Sequence, residues 1–320
     1  MTQPADHTQG DQAFRADSLY GRQEELNYGG ALSFLRRRYT RDIAGADVVV
    51  SGIPFDSAVS YRPGTRFGPQ AIRAASAQLA ELYAFPWGFD PFDHLAVADY
   101  GDCFLDFGHP EHVAEQIRAH ARGIIDQGPR MLTLGGDHFI TYGLLKAHAE
   151  VHGPLALVQV DAHPDTWADD GDRIDHGTML ARAVRENLID VENSIQIGIR
   201  TVAPDCGFTI LDAPWVHEQG IDAVLERVHA TVGDRPVYLT WDIDSLDPAF
   251  APGTGTPVCG GLTSAQALKL LRNFGTLDPI GMDIVEVSPP YDHAEVTALM
   301  AATLGHDYLC LLADHRRAKA

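Results

Sequence analysis

The chain has 320 residues, of which 45% are hydrophobic, and it carries a formal net charge of −20 at pH 7. This composition is ordinary for a globular protein, so we expect neither extensive disorder nor two small domains, and one large α/β domain is the simpler prediction. The negative charge disfavours nucleic acid or an anionic membrane surface as a partner, whereas it suits a cationic small molecule.

The cysteines and the N-terminal segment bear on where the protein acts. The four cysteines are widely spaced without a Cys-x-x-Cys pair, which predicts reduced, packed side chains; they are Cys103, Cys206, Cys259 and Cys310. Residues 1–28 lack apolar periodicity and are predicted to be an arm, flexible or used in an oligomer contact, ahead of a single domain at 29–320. Neither a leader-like apolar stretch nor a run of membrane-spanning length stands out, so we expect a soluble, cytoplasmic protein.

Strand and helix patterns alternate from residue 47 onward, which is typical of a mostly parallel sheet flanked by helices. In chain order they predict a strand at 47–52, a helix at 68–82, strands at 95–98 and 130–134 with a helix at 111–127 between them, a helix at 140–152, strands at 155–160 and 194–199, a helix at 221–232, a strand at 237–241, a helix at 263–274 and a strand at 280–285. Thr263 is the predicted N-cap of the last helix, and Gly275 is its predicted C′ residue.

Acidic residues and histidine recur at the ends of four predicted strands, where ligands bind in open parallel sheets. The four groups are Gly135-Gly136-Asp137-His138, Asp161-Ala-His163-Pro-Asp165, Asp242-Ile-Asp244, and Asp283 with Glu286. A turn or a helix N-cap would explain one Asp-x-His by itself, but four coincident strand ends indicate a site. On extended backbone, alternation would place the acidic and histidine side chains of each cluster on one side.

Converging carboxylates repel one another unless a cation lies between them, so the clusters predict bound metal. Two histidines and four aspartates are too few for two closed metal shells, but they suffice if two aspartates bridge a metal pair about 3.5–4 Å apart that shares a hydroxide. Oxygen-rich ligation with imidazole suits Mn²⁺ without excluding other divalent ions. Such a metal pair lowers the pKa of bound water and makes a hydroxide nucleophile, so hydrolysis is the favoured reaction class. A serine or cysteine mechanism is the weaker alternative, because its motif is absent here.

With these residues in hand, the chain resembles the ureohydrolase (arginase/agmatinase) family, and bacterial agmatinases most closely. The matching motifs occur in family order: Pro63-Gly64-x-Arg66-x-Gly68-Pro69, Gly135-Gly-Asp-His138, Asp161-Ala-His-x-Asp165, His176-Gly-Thr-Met179, the run from Asp242 to Pro257, and Glu286-Val-x-Pro289. The resemblance implies a three-layer α/β/α, arginase-like fold, two Mn²⁺ per chain and a homotrimer or homohexamer.

The resemblance also implies a role for each motif residue. One ion would be held by His138, Asp161, Asp165 and Asp242, and the other by Asp161, His163, Asp242 and Asp244, so that Asp161 and Asp242 bridge. A metal-bridging hydroxide would attack the guanidinium carbon, and Asp165 would accept its proton. His176 would pass protons toward the departing amine, Glu286 would hold the planar guanidinium with both oxygens, and Thr256 would offer a hydroxyl to the substrate. One departure from the pattern is Pro164, where many agmatinases have Thr, which puts loop shape and hydrogen bonding around the metal ligands in doubt.

The segment between Asp165 and His176 predicts the charge at the end of the substrate opposite the guanidinium. It carries Asp169, Asp170, Asp172 and Asp175 against Arg173 alone, which favours a substrate ending in an ammonium, such as agmatine, hydrolysed to urea and putrescine. Guanidinobutyrase or another guanidino-acid amidinohydrolase is the alternative, since Arg173 could bind a carboxylate. A zinc deacylase of the same fold would need two consecutive histidines, which are absent. A non-catalytic scaffold would be expected to have lost some metal-ligating residues, whereas this sequence has a suitable residue at every expected position.

Overall fold

A nine-stranded sheet, parallel at every strand pair, forms the centre of the structure, a computed structural model that describes residues 11–21, 26–80, 83–171 and 173–319. Its strands are β1 (Arg38–Tyr39), β2 (Val48–Ile53), β3 (Val97–Asp102), β4 (Arg130–Gly135), β5 (Ala156–Val160), β6 (Ile195–Ile199), β7 (Thr209–Asp212), β8 (Val237–Asp242) and β9 (Pro279–Val285). Their order across the sheet is β1-β3-β2-β4-β9-β8-β5-β6-β7.

Helices cover both faces of the sheet, which confirms the predicted three-layer α/β/α architecture. They are α1 (Gln12–Arg15), α2 (Gly68–Ser76), α3 (Val113–Ile125), α4 (Ile140–His152), α5 (Met179–Arg185), α6 (Ala213–Val232), α7 (Ser264–Arg272) and α8 (Val296–Lys319). Buried side chains of α2, α6, α7 and α8 join one apolar core, and those of α3, α4 and α5 join a second one. Successive residues of a strand contribute to opposite cores; in β2, for example, Val48 and Val50 belong to the first and Val49 to the second.

The predicted strands all exist within a few residues of their expected bounds, whereas several helices differ. Helix α6 begins earlier than predicted because it continues across a kink at Gly220, whose φ is +81°. Helix α2 ends at Ser76 and a 3₁₀ turn follows at Ala77–Leu79, while residues 81 and 82 of the predicted helix lie outside the described residues. Thr263 caps α7 within a full capping box, as predicted.

Helix α8 was not predicted, because its sequence is apolar on nearly every side and so lacks amphipathic periodicity. By length and composition it could cross a membrane, but 83% of its most apolar stretch is buried inside the protein. Its buried Asp307 accepts hydrogen bonds from Trp87 Nε1 at 2.8 Å and Arg272 Nε at 2.7 Å. The helix is therefore a core element, packed against α2 and α7.

The structure agrees only in part with the predictions of an N-terminal arm and of packed cysteines. In the described part of the arm, Ala13 is buried and the Leu19 carbonyl accepts a hydrogen bond from Val97 N–H at 3.1 Å. Residues 1–10 and 22–25 lie outside the described residues, so flexibility or an oligomer contact stays a prediction. All four cysteines are unpaired, as predicted, but Cys259 is exposed, so the expectation that each one is packed is wrong for that residue.

Gly136 lets the loop after β4 cross the loop after β2 in close contact. A Cβ at this position would lie 1.9 Å from the Phe55 carbonyl oxygen, which is backbone and cannot rotate away. We therefore expect Gly136→Ala to lower the free energy of unfolding by about 3 kcal/mol or more, measured by urea denaturation. Gly123→Ala, in the last turn of α3, is the matched control: nothing lies within 4 Å of that Cβ, and replacing a helical glycine with alanine should stabilise by about 0.5–1 kcal/mol. Equal stability of the two variants would contradict this account.

Candidate metal centre and adjoining pocket

The four motif-bearing strands are neighbours in the sheet. β4, β9, β8 and β5 lie side by side in that order, although they are far apart in the sequence. Because all are parallel, their carboxyl ends meet at one edge, and the side chains that follow them come together there. The predicted convergence of the four clusters is therefore a direct result of the strand order.

The first cluster of possible ligands surrounds His138. Its Nδ1 lies 3.1 Å from Asp161 Oδ2, 2.9 Å from Asp165 Oδ2 and 3.2 Å from Asp242 Oδ2. All four side chains are buried. Within the described part of the chain, Nδ1 nevertheless makes no hydrogen bond of acceptable geometry, so a buried nitrogen is left unpaired among three carboxylates.

A second cluster lies beside the first and shares Asp161 with it. His163 Nδ1 is 3.0 Å from Asp244 Oδ2 and 3.5 Å from Asp161 Oδ1. Asp161 thus presents Oδ2 to the His138 cluster and Oδ1 to the His163 cluster. The atoms of Asp161, His163 and Asp244 that could ligate a metal lie within 4.8 Å of one another, as do those of His138, Asp161 and Asp165.

Loop geometry, rather than strand alternation, brings these side chains together. β5 ends at Val160, so the expectation of extended backbone from 161 to 165 is wrong, and Asp165 adopts a left-handed φ of +53°. Non-glycine residues rarely occupy that region, and those that do are common at functional sites. After β8 the backbone turns into a 3₁₀ turn, where Asp242 Oδ1 accepts a hydrogen bond from Asp244 N–H at 2.7 Å.

The electrostatics of the two clusters fit bound cations. Burial raises the pKa of Asp165 to about 7, with the Asp161 charge adding to the effect, and burial raises the pKa of Asp242 well above its usual value. Burial also opposes ionisation of Asp161, but hydrogen bonding with His138 and His163 outweighs it and lowers the Asp161 pKa. Positive charge among these groups relieves the repulsion, and an imidazole–carboxylate donor set suits a divalent metal.

Pro164 keeps a backbone contact that orients the loop carrying Asp161, His163 and Asp165. Its carbonyl accepts a hydrogen bond from Gln196 Nε2 at 2.8 Å, a contact that proline can make because it lacks only the N–H. Gln196 also donates to Gln159 Oε1 at 2.6 Å, and Gln159 Nε2 donates to Asp161 Oδ2 at 2.7 Å. These two hydrogen-bonded side-chain amides orient the Asp161 carboxylate. The sequence analysis did not find either glutamine.

Glu286 and His176 form a buried pair next to the His138 cluster. Glu286 Oε1 accepts hydrogen bonds from His138 N–H and His176 Nδ1, both at 2.8 Å. Its other oxygen, Oε2, is buried and has no partner among the described residues; a Cβ on Gly255 would lie 3.1 Å from it. Oε1 thus already accepts two hydrogen bonds and Oε2 is the oxygen left over, so a grip on a guanidinium by both oxygens stays a prediction.

Both ring nitrogens of His176 are engaged. Nε2 accepts a hydrogen bond from Ser60 N–H at 3.1 Å and lies 2.8 Å from Ser60 Oγ. Because an N–H can only donate, the Ser60 N–H contact forms only while Nε2 is unprotonated, with the ring proton on Nδ1 facing Glu286. Burial disfavours charge on His176, but the Glu286 carboxylate outweighs it and raises the His176 pKa to about 9. Ser60 was missed by the sequence analysis, since a lone serine in a loop carries no signal.

A cavity of about 500 Å³ opens above the two clusters, and a small ligand fits a volume of this size. The predicted residues that line it are His138, His163, Asp165, His176, Asp242 and Thr256, and the sequence analysis did not single out Ser60, Trp167 or Thr201 among its other walls. Thr256 donates to Asp244 Oδ2 at 3.3 Å, so its hydroxyl contacts a predicted metal ligand.

Charged residues of the 166–175 segment line one side of the cavity. Arg173 Nε donates to Asp175 Oδ2 at 2.8 Å, and both residues line the cavity. Asp169 pairs with Arg185 of α5 at 2.6 Å, and Asp170 is exposed. Asp172, which the sequence analysis counted in this acidic segment, lies outside the described residues.

Comparison with known proteins places this fold and these motifs in one family. The sequence profile of the arginase family matches residues 46–310. An agmatinase of Chromobacterium violaceum is 57% identical over 310 residues, which is 96% of each chain. A solved structure described as a hypothetical agmatinase from Burkholderia thailandensis is 57% identical, with a TM-score of 0.95 over 97% of this chain and 99% of that one. The proclavaminate amidino hydrolase of Streptomyces clavuligerus is 40% identical, with a TM-score of 0.85 over 90% of this chain and 99% of that one. This chain belongs to the arginase family.

Proposed function

We propose that this protein hydrolyses agmatine to urea and putrescine at a site that holds two Mn²⁺ ions. The observation that carries the proposal is the buried Glu286 Oε2, which has no partner in the part of the chain that the structure describes and lies beside two imidazole–carboxylate clusters that share Asp161. A buried carboxylate oxygen without a donor is costly unless a cationic ligand supplies one. The likeness to agmatinases at 57% identity supports the same substrate.

We assign the metal ligands to two ions as the family resemblance implies. His138, Asp161, Asp165 and Asp242 would hold one ion, and Asp161, His163, Asp242 and Asp244 the other. The separate orientations of the two Asp161 oxygens support a bridging role for that residue. When bound, such a metal pair supplies a hydroxide nucleophile at neutral pH by lowering the pKa of a shared water.

The protein side chains orient the substrate and move protons. Glu286 Oε2 accepts hydrogen bonds from the guanidinium, and its charge complements that cation. Asp165 accepts the proton released as the nucleophile attacks. His176 carries a proton toward the departing amine once its ring takes up a second proton on Nε2, and Ser60 Oγ, 2.8 Å from Nε2, is the group that would receive that proton.

The far end of the cavity favours an ammonium over a carboxylate. Arg173, a possible carboxylate receptor, is already paired with Asp175, and Arg185 is paired with Asp169. The exposed Asp170 leaves the segment with a surplus of negative charge. Like charges at short range cost binding energy, so a carboxylate-terminated guanidine is disfavoured.

A matched pair of substrates tests this assignment. Agmatine and 4-guanidinobutyrate have similar lengths but end in an ammonium and a carboxylate. We expect the Mn²⁺-loaded protein to release urea from agmatine with a kcat/KM at least about tenfold higher, which corresponds to about 1.4 kcal/mol. Urea release at least as fast from 4-guanidinobutyrate, 3-guanidinopropionate or arginine would overturn the substrate and leave the reaction class intact.

The remaining expectations follow from the same assignment. We propose that the enzyme acts in the cytoplasm, in putrescine biosynthesis and polyamine metabolism, on a small cationic guanidine rather than on nucleic acid or a membrane. We also propose a homotrimer or homohexamer, as the family resemblance implies. Sedimentation of the full chain would measure this state, and a monomer would contradict it.

A further inference from the structure

Asp283 is a fully buried carboxylate that the proposed reaction does not use. It lies within β9, one strand away from His138, and three hydroxyl groups surround it. Thr240 Oγ1 donates to Oδ1 at 2.6 Å, while Thr141 Oγ1 and Tyr238 OH each donate to Oδ2 at 3.0 Å. An ionised carboxylate can only accept hydrogen bonds, so the hydrogen of each hydroxyl must point toward it.

The orientation of the Thr240 hydroxyl decides which nitrogen of His138 carries a proton. Thr240 Oγ1 has one hydrogen, which is directed at Asp283. Its other contact is His138 Nε2 at 2.8 Å, and that contact must therefore be a hydrogen bond donated by Nε2–H. A neutral imidazole with its proton on Nε2 has its lone pair on Nδ1. Nδ1 is the nitrogen that faces Asp161, Asp165 and Asp242 and has no hydrogen bond to any residue the structure describes.

We propose that Asp283, acting through Thr240, is a positioning residue that locks His138 in the tautomer required to bind a metal through Nδ1. The chain Asp283–Thr240–His138 is a carboxylate–hydroxyl–imidazole relay, in which the hydroxyl transmits the directional effect of the carboxylate. Such outer partners orient a ligating imidazole and increase its basicity. The inference rests on the proposed metal site, but it concerns metal affinity and not the substrate.

The sheet supplies a matched control for this relay. Asp283 is paired in register with Thr240 of β8 on one side and with Thr133 of β4 on the other. Both threonines are buried, yet among the described residues the Thr133 hydroxyl has no hydrogen-bond partner, whereas Thr240 joins Asp283 to His138. Thr133→Val and Thr240→Val therefore make the same chemical change on the two sides of one carboxylate.

Calorimetric titration of the metal-free full chain with Mn²⁺ alone tests the proposal. We expect Thr240→Val to weaken one of the two binding events about 10- to 100-fold and to leave the other unchanged, because His138 belongs to only one cluster. Thr133→Val should bind both ions like the unaltered protein, and Thr240→Ser should restore the weakened event. If Thr240→Val does not fold, Thr240→Cys provides the same test, because a thiol is a weak hydrogen-bond partner.

The outcomes separate this inference from the proposed function. Equal Mn²⁺ affinities in Thr240→Val and Thr133→Val would overturn the relay, whatever the substrate. Equal weakening of both binding events would also overturn it, since that result indicates a general loss of structure. If the relay variants behave as expected while the unaltered protein releases no urea from agmatine, the relay stands and the proposed substrate fails.

Discussion

Replacing the shared carboxylate in Asp161→Asn should abolish urea release and the binding of a metal pair. Asp161 faces both clusters, so an amide nitrogen at one of its two positions would remove a ligand from one metal. We expect kcat to fall by more than the ~10- to 100-fold loss that is typical of an outer partner of a metal ligand. Steady-state kinetics on agmatine and metal analysis of the purified variant would measure the two effects.

The fold should tolerate this substitution. The Asp161→Asn variant loses one of the hydrogen bonds that Asp161 accepts from His163 N–H and Gln159, which costs about 1–3 kcal/mol, but it also has one charge fewer in a repelling cluster. Thermal unfolding without metal should therefore stay cooperative. Asp126→Asn, an exposed change beyond the end of α3, is the control and should leave activity and metal content unchanged. Full activity in Asp161→Asn would refute the proposed metal site.

Glu286→Gln should separate substrate binding from metal binding. Glutamine has nearly the same shape, and its oxygen can still accept from His138 N–H and His176 Nδ1. Its NH₂ group would then replace Oε2 and present a donor to the guanidinium. Removing one partner of a buried charge pair costs about 3–5 kcal/mol, so kcat/KM for agmatine should fall by about 10²- to 10⁴-fold.

Mn²⁺ content should remain unchanged in Glu286→Gln, because Glu286 belongs to neither ligand cluster. The control is Glu295→Gln, which makes the same change at an exposed residue with a similar left-handed backbone, φ +59° against +65° for Glu286. A kcat/KM equal to that of the control would remove Glu286 from substrate recognition. Loss of metal together with activity would instead assign it to the metal site.

The sheet was predictable because its central strands are short apolar runs bounded by turns. The chain order of strands and helices therefore identified a parallel sheet. Helix α8 was missed for the opposite reason: it is buried on nearly every side, so no amphipathic period marks it. The edge strands β1 and β7 have only two and four residues, too few for a pattern.

The candidate metal-ligand residues were predicted from their types and from their positions after strands. The way in which they converge was not predicted. In place of the expected alternation of Asp161 and Asp165, the structure has a loop in which Asp165 has a positive φ. The residues that form hydrogen bonds with His138 and His176 were also missed. Thr240 and Ser60 are ordinary residues in a strand and a loop, and only their contacts with His138 and His176 mark them.

The sequence by itself determined which residues could bind a cation: four aspartates and two histidines follow strand ends, and like charges in a buried cluster need a counterion. Only the tertiary structure decided which atoms face that site. Strand order places β9 between β4 and β8, and so sets Asp283 between Thr133 and Thr240. Hydrogen-bond direction depends on such non-local contacts, which a linear sequence does not contain.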